Sequence, residues 1–333
     1  MKPLFGGLVC LLSGGATLTE EHPCLDLDID AFRLRLSWAD LQPNEHPTDD
    51  SFLPLDDSIR VAAEHGKKVG FNVAGGIKRP AWAYDKAYKY HYTETDPHIK
   101  PPQSVGDIAL PWDAEAQRID KNFVKQLGQR YDGNPAVAYI MATHFMQICP
   151  MYLAGEEDVV AMTALAMNPP PVHSGLLAYN SLFDAYVPSA KWYVDLWMRA
   201  FPTTPVLVTI SPPWPGEDGQ DAQNMVKNYG LEAYPGRFGT FVAARYAEAD
   251  VFPARPVDYP KGCQFAYNAT KQNHKQWKKP APDPIPENPE TFVATIDAAC
   301  AKGDKFAECY EVDLLETPEE VLTDCRAKLL AMV

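Results

Sequence analysis

The segment that decides the fold runs from Asp113 to Tyr152 and reads DAEAQRIDKNFVKQLGQRYDGNPAVAYIMATHFMQICPMY. Its first part, Asp113–Arg130, has apolar residues at the three- and four-residue spacing of an amphipathic helix. Asp132-Gly-Asn-Pro135 predicts a tight turn, and Ala136–Thr143 predicts a buried strand. The order helix, turn, strand and loop is typical of the middle of a (β/α)8 barrel, where the loop after the strand contributes to an active site.

Strand-like and helix-like segments alternate along the whole chain, which predicts a parallel sheet covered by helices. In the second strand, Phe32, Leu34 and Leu36 alternate with Arg33, Arg35 and Ser37, so one set faces the helices and the other the barrel interior. The eight predicted strands are Leu4–Leu11, Ala31–Trp38, Lys68–Ala74, Ala136–Thr143, Pro205–Ile210, Arg237–Ala243, Gly262–Tyr267 and Lys305–Val312. The clearest predicted helices are Leu55–His65, Asp113–Arg130, Asn180–Phe201 and Pro318–Met332. The chain is therefore predicted to be one α/β domain over residues 1–333, a single (β/α)8 TIM barrel with long βα loops rich in aromatic residues and proline.

The N-terminal residues allow two interpretations. One basic residue followed by a short apolar run fits a secretory leader. The same run fits the first barrel strand, which we favour because the barrel needs a strand before Ala31–Trp38. The seven cysteines have no zinc-binding spacing, and Cys10, Cys263 and Cys309 are interpreted as core residues. The compartment stays open, with export slightly favoured over the cytoplasm, and a disulfide such as Cys300–Cys325 would require an exported protein.

The amino-acid composition restricts the classes of partner that the chain is expected to bind. Lys and Arg total 30 against 44 Asp and Glu, a formal net charge of −14. This balance argues against nucleic acid as a partner, which requires a basic surface, and is compatible with a neutral ligand such as a sugar. No run reaches the roughly 18 apolar residues of a membrane span. No HxH pair of histidines suggests a metal, and no metal or cofactor is predicted; the oligomeric state stays unknown.

An ordered set of motifs resembles the retaining glycoside hydrolases of the large (β/α)8 clan, the group with the β-galactosidase-like and cellulase-like families. The run Arg33-Leu-Arg-Leu-Ser-Trp-Ala-Asp-Leu-Gln-Pro43 is similar to their second-strand motif, and Pro80-Ala-Trp82 and Arg130-Tyr-Asp-Gly-Asn-Pro135 follow in the family's order. The match is clear over about residues 30–150 and weak beyond. The resemblance implies a carbohydrate substrate held at the C-terminal face of the barrel.

Both positions that should carry the family's catalytic carboxylates hold other residues. Retaining enzymes need two carboxylates about 5 Å apart, and the resemblance places them after the fourth and seventh strands. On this alignment those positions hold Pro150 and Gln264. Proline cannot donate a proton, and an amide cannot form a glycosyl-enzyme intermediate.

Several residues are candidates for binding the substrate. The resemblance implies that Arg35 positions a nucleophile, although a salt bridge with Glu308 inside the barrel explains it as well. Three tryptophans at or beyond strand ends could stack on sugar rings or simply pack within loops. His144 and Gln147 could hydrogen-bond hydroxyl groups, and His144 could act as a base or be satisfied by backbone. The candidates for substrate binding are Arg35, Trp38, Trp82, His144, Gln147, Trp214 and Gln264.

Three glutamates are candidates for a relocated catalytic carboxylate. Glu156 could be such an acid, or it could begin a helix, where acidic residues are favourable. Glu308 and Glu311 are predicted in the eighth strand, and a Glu308–Arg35 ion pair is the favoured alternative to catalysis. The sequence thus leaves two functions open: a glycoside hydrolase-like protein that acts on or binds a carbohydrate, or a catalytically inactive barrel that binds carbohydrate or protein.

Overall fold

The chain forms a closed ring of eight parallel strands. The computed structural model describes residues 2–93, 105–142, 156–171, 175–245, 257–265 and 288–333. Around the ring the strand order is β1-β10-β9-β8-β7-β6-β3-β2, and β4 pairs with β5 in a separate antiparallel sheet. The strands are β1 (Gly7–Leu11), β2 (Ala31–Ser37), β3 (Lys68–Ala74), β4 (Lys89–Thr93), β5 (Val105–Ala109), β6 (Val137–Met141), β7 (Val206–Thr209), β8 (Phe238–Arg245), β9 (Lys261–Phe265) and β10 (Phe306–Tyr310).

All eight predicted barrel strands are confirmed, with differences at their ends. The N-terminal run forms β1, which pairs with β2 on one side and β10 on the other. This pairing confirms the strand interpretation of the run and closes the ring. The fold class predicted from the sequence, a (β/α)8 TIM barrel, is confirmed with it.

Helices cover the outside of the ring. They are α1 (Trp38–Leu41), α2 (Leu53–Glu64), α3 (Ala114–Tyr131), α4 (Glu156–Met167), α5 (Leu182–Ala200), α6 (Glu217–Ala233), α7 (Asn288–Ala301), α8 (Glu311–Glu316) and α9 (Glu319–Leu330). Asp113 begins α3 because its carboxylate accepts the backbone N–H groups of Glu115 and Ala116. In the described part of the chain, none of these helices has the length and apolarity to cross a membrane.

The segment after β3, which the sequence predicted as a long loop, contains two paired strands in its described part. It contains the β4–β5 hairpin, whose strands pair from Lys89 with Ala109 to Thr93 with Val105. Two contacts attach the hairpin to the helices. Asp113 accepts the N–H of Tyr88 at 2.6 Å, and Tyr90 donates its hydroxyl to Asp158 at 2.5 Å.

Aromatic rings fill the half of the barrel interior that lies toward the N-terminal ends of the strands, which we call the lower half. Tyr139 stacks on Phe306 with ring centroids 4.5 Å apart, and Phe5 and Phe241 also pack against Phe306. Glycine provides the space, because a Cβ atom at Gly70 would lie 2.2 Å from the Tyr139 ring. The interior is therefore a packed core in this half and leaves no channel there.

The outer core contains a buried ion pair. Arg79 Nη2 lies 2.7 Å from Asp120 Oδ1, and both side chains are almost fully buried. Tyr193 donates its hydroxyl to the other carboxylate oxygen of Asp120, and Arg79 lies over the Trp38 ring. The pair therefore links the segment after β3 with α3 and α5. The six described cysteines are free thiols, and Cys10, Cys263 and Cys309 are buried as predicted.

We expect Asp120→Ala to lower the free energy of unfolding by about 3–5 kcal/mol, because it leaves the Arg79 guanidinium buried without its counter-ion. Chemical denaturation monitored by circular dichroism measures this change. The control is Asp297→Ala, which removes a carboxylate paired with Lys328 on the surface and should cost at most about 1 kcal/mol. Equal losses for the two variants would contradict the structural role of the buried pair.

Candidate functional site

Three charged side chains of the barrel strands project into the interior above the aromatic rings. Val9, Ala31 and Phe306 belong to the apolar interior cluster. Because side chains alternate along a strand, Arg33 and Arg35 share the face of Ala31, and Glu308 shares that of Phe306. Glu308 is the only acidic residue in the eight barrel strands.

Glu308 is held by two neighbours. Its Oε1 lies 3.3 Å from Arg33 Nε and accepts the Tyr139 hydroxyl at 2.8 Å. Only 1% of the residue is exposed. Burial raises the pKa of Glu308 above its usual value of 4.5, and the nearby Arg33 acts in the opposite direction. The carboxylate is thus fixed inside the barrel by an ion pair and a hydrogen bond.

The predicted ion pair between Glu308 and Arg35 is wrong, and the strand register explains why. β1 aligns Val9 with Glu308 on one side and with Ala31 on the other. Glu308 is therefore level with Ala31, and the next interior residue up β2 is Arg33. Arg35 lies one interior position higher, where its Nε and Nη2 donate to the Leu12 carbonyl at 3.2 and 2.9 Å.

Neutral polar groups surround Arg35 at the carboxyl ends of the strands. Asn72 of β3 pairs in register with Arg35, and its buried Oδ1 has no hydrogen-bond partner among the residues that the structure describes. Gln264 of β9 donates its Nε2 to the Tyr310 hydroxyl at 2.9 Å. Arg35 and Gln264 are half-buried, so this end of the interior is accessible. We call Arg35, Asn72, Gln264 and Tyr310 the mouth cluster.

Two of the predicted sugar-stacking tryptophans lie on the flank of the barrel. Trp38 is fully buried and stacks on Phe123 of α3 with ring centroids 4.5 Å apart, so it has no face for a sugar. It begins α1, and its ring packs in the outer core. Trp82 packs its edge against Trp38 and donates to the Gln42 carbonyl. It is partly exposed to a cavity of about 370 Å³, whose lining includes His46, Asn122 and Gln129.

Trp214 lies in a different place. It is 5% exposed and packs edge-on against Tyr186 of α5. It lines a cavity of about 430 Å³ together with Thr163 of α4 and with Asp218 and Asp221 of α6. The three tryptophans therefore do not form one aromatic cleft, and Trp38 is excluded as a stacking residue by its burial.

The structure describes only some of the remaining candidate residues. His144, Gln147 and Pro150 lie outside the described residues. Glu156 is the first residue of α4, which agrees with its interpretation as a helix start. Glu311 is the first residue of α8 rather than part of the eighth strand, because β10 ends at Tyr310. Its half-exposed carboxylate lies 3.9 Å from His22 Nε2.

Sequence reasoning did not select Arg33, Asn72, Tyr139 or Tyr310 as site residues. The alternation in β2 already placed Arg33 in the interior, and the same period of two applied to β3 and β10 places Asn72 and Tyr310 there. The reach of Tyr139 to Glu308 across the barrel has no signal in the sequence. Among the described residues, no group of three or more His, Cys, Asp or Glu side chains could hold a metal ion.

Comparisons with known proteins identify the fold. No protein-family model matches the sequence, and no curated protein matches it. Among solved structures, a β-galactosidase from the Antarctic haloarchaeon Halorubrum lacusprofundi is similar with a TM-score of 0.52 and 14% identity, over 98% of this chain and 58% of that chain. A β-galactosidase from the psychrophilic Marinomonas ef1 has a TM-score of 0.51 and 13% identity, over 92% of this chain and 54% of that chain. This chain thus spans about half the length of that enzyme.

An endoglucanase from Pseudomonas stutzeri has a TM-score of 0.50 and 10% identity, over 96% of this chain and 94% of that chain. Identities this low show a shared fold alone. The resemblance in fold that the second-strand motif indicated is confirmed: this chain has the (β/α)8 barrel fold of these glycoside hydrolases.

Proposed function

We propose that this chain binds a carbohydrate at the carboxyl ends of its barrel strands and acts on a glycosidic bond there. The observation that carries the proposal is the mouth cluster. It combines a guanidinium, two side-chain amides and a phenol at the accessible end of an otherwise filled barrel. Sugar hydroxyls both donate and accept hydrogen bonds, and this mixture of donors and acceptors suits them.

The fold and the sequence motifs support the same proposal. The solved structures of similar fold include two β-galactosidases and an endoglucanase. In (β/α)8 enzymes the active site lies at the C-terminal face of the barrel, where the mouth cluster is found. Fold alone does not determine function, so the site residues carry the argument.

Hydrolysis would require carboxylates from outside the strands. Glu308 is paired with Arg33 and Tyr139 and is almost fully buried, which favours a structural role. Glu156 and Glu311 begin helices that follow barrel strands, and they are the better candidates for a general acid or a nucleophile. A catalytically inactive binding barrel is the second candidate function, favoured by the amide of Gln264 at the mouth.

Binding at the mouth predicts that Gln264→Ala weakens the affinity for an oligosaccharide about tenfold, since a lost hydrogen bond in a binding site costs on the order of 1.4 kcal/mol. Isothermal titration calorimetry with a panel of neutral and acidic oligosaccharides measures the affinities. The matched control is Gln129→Ala, because Gln129 lines the flank cavity beside Trp82. We expect this control to bind like the unaltered protein.

If Gln129→Ala lowers the affinity for the oligosaccharide more than Gln264→Ala does, the ligand binds on the flank, which would contradict binding at the mouth. If the unaltered protein neither binds nor cleaves any oligosaccharide of the panel, the proposed function fails altogether.

The carboxylates can be separated by their effects on rate and stability. We expect Glu308→Gln to lower the free energy of unfolding by about 3–5 kcal/mol, because Arg33 loses its buried counter-ion. Glu156→Gln and Glu311→Gln should leave stability within about 0.5 kcal/mol. If the unaltered protein hydrolyses a glycoside, the glutamate that acts in catalysis can be identified from the kinetics. Its replacement should lower kcat about 10²–10⁴-fold and leave the affinity for the substrate unchanged. A Glu308→Gln variant with unchanged stability and a lowered kcat would contradict the structural role of Glu308 and show that it acts in catalysis.

Restoring both missing carboxylates tests the inactive alternative. If the barrel binds sugars and lacks only those groups, the double variant Pro150→Glu, Gln264→Glu should show hydrolysis that the unaltered protein lacks, since two carboxylates are the minimum for this chemistry. Release of reducing ends measures the gain, and each single variant serves as a control. Hydrolysis by the unaltered protein would contradict the inactive alternative directly.

A further inference from the structure

The barrel interior carries more positive than negative charge. Arg33 and Arg35 project from successive interior positions of β2, and Glu308 is the only acid of the eight strands. Arg33 lies against Glu308 at 3.3 Å. Arg35 has no carboxylate partner among the described residues; its Nε and Nη2 donate to one backbone carbonyl, that of Leu12. One cation of this layer is therefore left without a counter-charge in the described structure.

The same layer contains buried polar atoms that have no hydrogen-bond partner in the described part of the chain. They are the donor Arg33 Nη1 and the acceptor Asn72 Oδ1; both residues are only 5% exposed. Buried polar atoms of folded proteins are nearly all hydrogen-bonded. Among the described residues, the layer thus lacks a counter-charge for Arg35 and a hydroxyl-type donor for the Asn72 carbonyl.

The accessible side of this layer is the mouth cluster, and its remaining members are neutral. The Gln264 amide donates to the Tyr310 hydroxyl. Because an amide and a phenol are neutral groups, neither supplies a negative charge to Arg35. The whole chain carries a formal net charge of −14, so its overall field repels anions. A surplus cation inside such a protein is suited to one specific anionic group that reaches the mouth.

We propose that the mouth cluster recognises an acidic sugar, with the carboxylate of a hexuronate residue paired to the Arg35 guanidinium and a ring hydroxyl donating to Asn72 Oδ1. A sugar acid supplies in one molecule the counter-charge for Arg35 and the donor for Asn72 Oδ1. A planar carboxylate matches the fork of a guanidinium, and its single negative charge equals the surplus of one. The inference rests on the proposed carbohydrate binding at this site and specifies its substrate class.

The test compares matched sugars on the full chain. Isothermal titration calorimetry is carried out with short oligomers of glucuronate, galacturonate and mannuronate, with the corresponding neutral oligosaccharides, and with a sulfated neutral oligosaccharide. We expect at least one uronate to bind about tenfold or more tightly than its neutral counterpart, a preference of about 1.4 kcal/mol. That preference should disappear in Arg35→Gln and persist in Arg118→Gln, which removes an exposed arginine of α3.

If none of the uronates binds better than its neutral counterpart, the acidic-sugar inference is overturned and carbohydrate binding is left intact. A preference that persists in Arg35→Gln, or a sulfated sugar that binds as tightly as the uronate, also overturns it. Absence of binding to every sugar overturns the proposed function as well. Arg35→Lys provides a second variant should Arg35→Gln fail to fold; it keeps the charge but not the planar fork, and we expect it to retain only part of the preference.

Discussion

Closure of the strand ring is the constraint on which the rest of the structure depends. Because β1 pairs with both β2 and β10, none of the eight ring strands has an open edge, and every second residue of these strands points into a shared interior. That interior has to be filled at the density of a protein core. Tyr139, Phe241 and Phe306 fill its lower half, and Gly70 and Gly262 lack the Cβ atoms that would collide with those rings. The accessible end of the strands is what remains for polar side chains.

One residue connects the two halves of the interior. The ring of Tyr139 stacks on Phe306 within the aromatic filling, while its hydroxyl reaches up to Glu308. Glu308 in turn lies against Arg33. The polar layer is therefore anchored to the apolar filling through a hydrogen bond and an ion pair, and the position of Arg33 follows from the aromatic packing below it. Arg35, one interior position higher, is outside this arrangement and faces the mouth.

The sequence was sufficient for the architecture but not for the contacts across it. Alternation of apolar and charged residues from Phe32 to Ser37 correctly placed two arginines in the interior, because that pattern depends only on the period of a strand. The partner of Glu308 depends on the stagger between β10, β1 and β2, which the sequence of a single strand does not encode. The sequence therefore predicted Arg35 as the partner, whereas the strand register brings Arg33 to Glu308. Trp38 failed as a stacking residue for a similar reason: its ring packs on Phe123, a residue distant in sequence. The β4–β5 hairpin was missed because aromatic residues in a long segment indicate a functional loop as readily as a strand.

The charges of the strands constrain the chemistry that this barrel can perform. Retaining hydrolysis requires two carboxylates about 5 Å apart, and the strands offer one, which is already the counter-ion of Arg33. Withdrawing Glu308 from that role to serve in catalysis would leave a guanidinium buried beside the aromatic filling without a counter-charge, a cost of several kcal/mol. The strands are therefore better suited to hold a ligand than to transform it. Any bond cleavage would have to draw its acid and its nucleophile from the segments that follow the strands, so the proposed binding of a sugar and its proposed hydrolysis would reside in different parts of the same fold.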